Sequence, residues 1–210
     1  DMDDPYVTHH DNYIESEWWA LKTMWDKDLI YKGHKIVPYC PRCGTALSSH
    51  EVAQGYKCVK ENSVFVRFKV KGEENTYLAA WTTTPWTLPS NVALCVSPSD
   101  EYSMIKVPTD LDGSEKDVYY YMASTLVPTL FENYETVKTM KGNDLCGIEY
   151  EPLLPYAEEE LKAAKKKSHY VVSDSYVTMS DGTGIVHIAP AFGEDDARVG
   201  RTNDLPFIQL

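Results

Sequence analysis

No stretch of this 210-residue chain approaches the roughly 20 consecutive apolar residues of a membrane-spanning helix, so no span is expected. No basic-then-apolar leader opens it, so nothing points to secretion. Cysteine is sparse: five residues, at 40, 43, 58, 95 and 146, an odd number without a framework spacing. That argues against a disulfide-built secreted domain and for a reducing cytoplasm. Positive charge is also short, with 20 Lys and Arg against 32 Asp and Glu and a net charge of -12. Phosphate neutralisation dominates nucleic-acid affinity, so tight binding to nucleic acid through charge alone is not expected. The only dense basic cluster is Lys162, Lys165, Lys166 and Lys167, which reads as a solvated helix face. There is no internal repeat. The chain starts at Asp1 without Met and stops just after an acidic motif, and so reads as a piece of a longer protein.

What is present is enough for a real core: 43% hydrophobic and 12% aromatic residues exclude a disordered chain. Ile14, Trp18, Leu21 and Trp25 recur at helical spacing and predict a helix over 12–27, its tryptophans acting as core or interface anchors. Beyond it the period changes to two. Val64, Val66, Phe68 and Val70 alternate with Phe65, Arg67 and Lys69, which predicts a strand. Further strands are expected at 76–83, 91–96, 102–107, 118–123, 134–141, 170–172 and 184–188, with turns at 71–75 and at Asp112-Gly113. Short helices are expected at 124–131, at 157–167 and after Glu194. The pattern is a β-rich α+β domain, and a small closed or distorted β-barrel with peripheral helices would hide its strand edges.

Two segments carry chemistry. Trp81-Thr82-Thr83-Thr84-Pro85-Trp86-Thr87-Leu88-Pro89-Ser90-Asn91 puts three hydroxyls before a proline that stops the strand. Gly182-Thr183-Gly184-Ile185-Val186-His187-Ile188-Ala189-Pro190-Ala191-Phe192-Gly193-Glu194-Asp195-Asp196 supplies an imidazole and carboxylates. Hydroxyls, imidazole and carboxylate without an evident metal cage suit recognition and hydrolysis of a small ammonium-bearing ester. Each feature also has a plainer reading. Three threonines fit β propensity, a histidine among Ile and Val fits a satisfied core residue, and Asp195-Asp196 fits a helix cap or an acidic first turn. Trp81 and Trp86 fit the core better than a ligand platform.

These segments resemble the editing domain inserted into the catalytic core of isoleucyl-tRNA synthetases. The likeness extends to Asp11-Asn12-Tyr13-Ile14-Glu15-Ser16, Trp18-Trp19, Tyr31-Lys32-Gly33 and the run from Pro38 to Val52, and is weakest between Pro108 and Lys167. Leucine and valine enzymes are similar, but their segment usually reads Thr-Thr-Arg-Pro; here Thr84 stands before the proline and Trp86 follows it. Phe192 and Glu194 depart from the pattern common in bacterial members, which suggests a eukaryotic-type cytoplasmic enzyme.

The resemblance implies a connecting helix over 1–30 and an editing domain over 31–210. It implies hydrolysis of the ester of valyl-tRNA(Ile), with valyl-adenylate as a second candidate. Asp196 would hold the substrate's α-ammonium, His187 would line the pocket, and the segment Trp81, Thr82, Thr83 and Thr84 would bind substrate. Thr83 and Thr84 are the expected catalytic pair with Asp196, placing the terminal adenosine, the carbonyl and the water. The expected partner is the 3' end of aminoacylated tRNA(Ile), bound weakly by a monomer. Neither His-Ile-Gly-His nor Lys-Met-Ser-Lys-Ser occurs, so ATP belongs only to a full-length enzyme. No cofactor is expected for editing. Cys40-Pro41-Arg42-Cys43 is half of a zinc site; Cys58 and His50 are further candidates, but a complete site is not expected. A valine- or leucine-type editing domain, and a non-catalytic module that holds the tRNA end, are the alternatives.

Overall fold

The computed structural model describes Asp3, residues 5–109 and residues 115–210. The Asp112-Gly113 turn lies outside the described residues. The chain separates into two compact parts, 1–35 and 36–210. The first holds helix α1, Asp11–Asp26, none of whose residues is buried. Trp18, Trp19 and Trp25 are all about two-thirds exposed, so they are not core residues of this chain.

The second part begins with a small hairpin, β1 (Tyr39–Cys40) and β2 (Thr45–Ala46), and helix α2 (Ser49–Gln54). Ser48 and Glu51 close a capping box at the start of α2. The sheet region follows as β3 (Val64–Lys69), β4 (Thr76–Thr82), β5 (Ala93–Val96), β6 (Glu101–Thr109) and β7 (Glu115–Ala123). Then come α3 (Val127–Leu130), β8 (Glu135–Lys141), α4 (Gly142–Leu145), α5 (Glu158–Ala164), β9 (Tyr170–Ser173), β10 (Ile185–Ile188) and α6 (Glu194–Thr202). Helix α5 stops three residues short of the expected Lys167, because Lys165 turns left-handed with φ 54°.

The β-rich α+β class holds, but a closed barrel does not form among the described residues. Five strands form one sheet in the order β3-β4-β7-β6-β8, and three form another in the order β10-β5-β9. The larger sheet protects its edges without closing. Strand β8 carries Glu135, Lys138 and Lys141 on an almost wholly exposed edge. The end of β3 is covered by residues 149–151, where Glu151 N–H reaches Lys69 O at 2.8 Å.

Strand β5 is buried on both faces and so reads as a continuous apolar run. Leu94 and Val96 join a core with Phe68, Leu78, Ile105, Tyr120 and Ile185. Ala93 and Cys95 face a second core with Val172, Ile188, Val199 and Leu205. The small sheet is therefore a middle layer between the large sheet and α6. Strand β10 pairs antiparallel with β5, His187 opposite Leu94. Successive residues alternate faces, so His187 shares the face of Ile185.

Three of the four clustered lysines, Lys162, Lys166 and Lys167, are paired with carboxylates. Lys166 meets Asp204 at 2.7 Å and Lys167 meets Glu149 at 2.9 Å.

Candidate functional site

Strand β4 ends at Thr82, and Pro85 opens a 3-10 turn over Pro85–Ser90, where its missing N–H is harmless. Thr82 is buried, and its Oγ1 accepts the Thr84 N–H at 3.0 Å and lies 3.3 Å from Thr84 Oγ1. Thr82 and Thr84 thus share one side, as alternation requires. Thr83 is half-buried, and its hydroxyl makes no hydrogen bond among the described residues.

Thr87 closes the turn twice over: its N–H and its hydroxyl both donate to Thr84 O, at 3.1 and 2.9 Å. The same hydroxyl oxygen lies 3.0 Å from His187 Nε2. A hydroxyl has one proton, and that proton is committed to Thr84 O. His187 must therefore donate from Nε2–H, which leaves Nδ1 as a bare acceptor. Nδ1 is buried and has no partner among the described residues. Burial also pushes the imidazole pKa down to about 4, so His187 is neutral at physiological pH. It is a fixed, uncharged side chain. The sequence reading missed Thr87; its signal is the hydroxyl three residues after Thr84 across a proline.

Helix α6 starts after Gly193, with Glu194, Asp195 and Asp196 in its first turn. Asp196 does not cap its own helix. Its Oδ2 accepts the N–H of Ala189, at the end of β10, at 2.9 Å. Oδ1 takes no hydrogen bond from the described residues. Burial raises the carboxyl pKa to about 6, opposed by the Ala189 N–H and reinforced by the charge of Asp195. Asp196 is therefore largely ionised at neutral pH, half satisfied and mostly withdrawn from water. Such a group suits a cation that brings its own donors.

The fold links these segments through short hydrogen bonds. Thr84, Thr87 and His187 form one chain, and two residues beyond His187 the backbone of Ala189 holds Asp196. Trp81 lies elsewhere. It is half-buried, faces Gly182, where an added Cβ would come within 2.8 Å of the indole, and lines a cavity of about 200 Å³ with Tyr176, Thr183 and Ile185. Trp86 is 69% exposed, which corrects the core reading, since the 3-10 turn carries it out to solvent. Among the described residues no Ser-His-Asp arrangement forms around His187, because its one side-chain partner there is Thr87.

Cys40 and Cys43 meet in the β1–β2 hairpin, where Cys43 N–H donates to Cys40 Sγ at 3.3 Å. Cys43 and Cys58 are exposed. Among the described residues no three His, Cys, Asp or Glu side chains gather as a metal site. Two thiols do not fit a structural zinc, which takes four ligands.

A family model described as "tRNA synthetases class I (I, L, M and V)" matches residues 1–186. Isoleucine–tRNA ligases of Clostridium acetobutylicum and Picrophilus torridus are 59% and 55% identical to the chain, covering 100% and 96% of it. The chain spans only 19% and 18% of the length of those proteins. A crystal structure of the P. knowlesi cytosolic leucyl-tRNA synthetase editing domain superposes with a TM-score of 0.54 at 14% identity, over 72% of this chain and 66% of that one. A structure of GlLeuRS-CP1 gives 0.51 at 16% identity, over 67% and 57%. At these identities the structural likeness is one of fold alone. The family match, which takes in most of the chain, places it among the class I tRNA synthetases of the I, L, M and V group.

Proposed function

We propose that this chain is the proofreading part of an isoleucine–tRNA ligase and hydrolyses the ester of valine wrongly attached to tRNA(Ile), with valyl-adenylate as a second substrate. The observation that carries the reading is Asp196: a half-buried carboxylate, ionised at neutral pH, with one oxygen held by Ala189 N–H and the other open. An aminoacyl ester differs from most esters by its α-ammonium, and a charge-assisted hydrogen bond to Asp196 selects for it.

A pocket that binds isoleucine cannot strongly reject valine, because one methylene is worth only about 1–3 kcal/mol, a figure that isoleucine enzymes themselves supplied. A second, smaller pocket solves the problem by exclusion. Neutral His187, pinned by Thr87, is a rigid wall for such a pocket. Thr83 and Thr84, with nearby backbone donors, place the carbonyl and the water. The ester is already activated, so orientation supplies most of the rate. With a net charge of -12 the chain binds the tRNA end weakly, as a monomer in the cytoplasm, and the rest of the ligase holds the tRNA body.

In the full-length ligase, Asp196→Ala abolishes deacylation of valyl-tRNA(Ile) and leaves isoleucine activation intact. Undiminished deacylation by that variant overturns the reading.

A further inference from the structure

We infer that Arg198 is a positioning residue of this site: gripped by Asp174 and reaching Asp195, it fixes the first turn of α6 and offsets the charge of Asp195 beside Asp196. The inference rests on the reading of Asp196 given above.

The geometry is that of a clamp. Arg198 Nη1 donates to Asp174 Oδ2 at 2.6 Å, and Nη2 donates to Asp174 Oδ1 at 3.1 Å. This is the two-bond fork that a guanidinium makes and an ammonium cannot. Asp174 is itself fixed, since its N–H reaches Val96 O at 3.0 Å and its Oδ1 also accepts Tyr176 N–H at 3.1 Å. The Asp174 side chain is 14% exposed and that of Arg198 44%, so the pair is anchored on the Asp174 side. The clamp therefore ties α6 to the end of the β5–β9 layer, two residues past Asp196. Nη2 continues to Asp195 Oδ1 at 3.1 Å.

The electrostatics run through Asp195. Burial raises the Asp196 carboxyl pKa, and the charge of Asp195 adds to that rise. The other groups whose titration feels Asp196 are Cys95 on β5 and Tyr176 after β9; burial pushes the Cys95 thiol up to about 12 and raises the Tyr176 phenol, so both are neutral at working pH. His187, two residues before Ala189, is neutral above about pH 4. Without Arg198 the Asp195 carboxylate stands uncompensated, and Asp196 takes up a proton at higher pH.

The test is the pH dependence of kcat/KM for deacylation of valyl-tRNA(Ile) by the full-length ligase, whose acid limb follows ionisation of Asp196 in the free enzyme. Arg198→Met moves that limb up by about half a pH unit or more and raises KM several-fold. Arg198→Lys keeps the charge and loses the fork, so the limb stays and KM rises. Asp195→Asn leaves the Asp174 clamp intact and moves the limb down, which tests the charge coupling on which the inference depends even if Arg198→Met fails to fold. An unmoved limb in Asp195→Asn, or parental KM and limb in a folded Arg198→Met, overturns the inference. Persisting deacylation in Asp196→Ala would instead sink the functional reading on which it rests.

Discussion

The hydroxyl of Thr87 stands 3.0 Å from Nε2 of His187, 100 residues away in sequence, and its own proton is committed to the carbonyl of Thr84. This single oxygen joins the two sequence segments that hold the candidate site residues, and it sets which nitrogen of the imidazole bears the proton.

Thr87→Val keeps the shape and removes that oxygen. His187 Nε2–H is then buried without an acceptor, at a cost of about 1–3 kcal/mol. The imidazole also loses its anchor, so the pocket wall loosens. Urea unfolding shows the loss of stability, and parallel assays show hydrolysis of isoleucyl-tRNA(Ile) rising relative to valyl-tRNA(Ile). Unchanged selectivity would mean that His187 does not bound the pocket.

His187 and Asp196 pull stability in opposite directions with pH. The folded pKa of His187, about 4, lies below its ordinary 6.5, so the unfolded state binds more protons in that window. Its contribution is present above pH 6.5 and is lost as pH falls toward 4. The folded pKa of Asp196, about 6, lies above its ordinary 3.8, so the folded state binds more protons there. Its contribution is present below 3.8 and is lost as pH rises through 6. Between pH 4 and 6 the two nearly cancel. Asp196→Asn unmasks a fall in stability on acidification, and His187→Gln unmasks a fall on raising the pH to 6, each on the order of 2–3 kcal/mol. Thermal melts from pH 4 to 7 check this; two flat profiles would refute it.

A Cβ at Gly193 would lie 3.0 Å from Asp196 Cγ and 3.2 Å from Oδ1. The backbone there has φ -140°, which any residue adopts, so the cost falls on the carboxylate. Gly193→Ala lowers kcat/KM on valyl-tRNA(Ile) by about tenfold or more through misplacement, while the unfolding midpoint barely moves. An active Gly193→Ala enzyme would show that the position of Asp196 is not critical.

Much of the architecture is local and was therefore readable in the chain. Alternation from Val64 to Val70 reports one buried face, and Val66, Phe68 and Val70 are indeed core. Pro85 ends β4 because it has no N–H to give, and the acidic run after Gly193 opens α6 because anions favour a helix N-terminus. Local pattern also marked Thr82, Thr83, Thr84, His187 and Asp196 as candidates. It could not show that Trp86 turns outward, that the four lysines near residue 165 are partly neutralised by distant carboxylates, or that strand edges are guarded by charge and a crossing segment in place of barrel closure.

The amino-acid order by itself determined the elements and the kinds of side chain at their ends, because period, proline and caps act within a few residues. Only tertiary structure decided that Thr87 meets His187, that Asp196 turns from its own helix to Ala189, and that Arg198 locks onto Asp174. Those contacts span between 7 and 100 residues, and they form because the middle sheet layer brings both segments to one end of β10, a matter of three-dimensional packing that no local window contains.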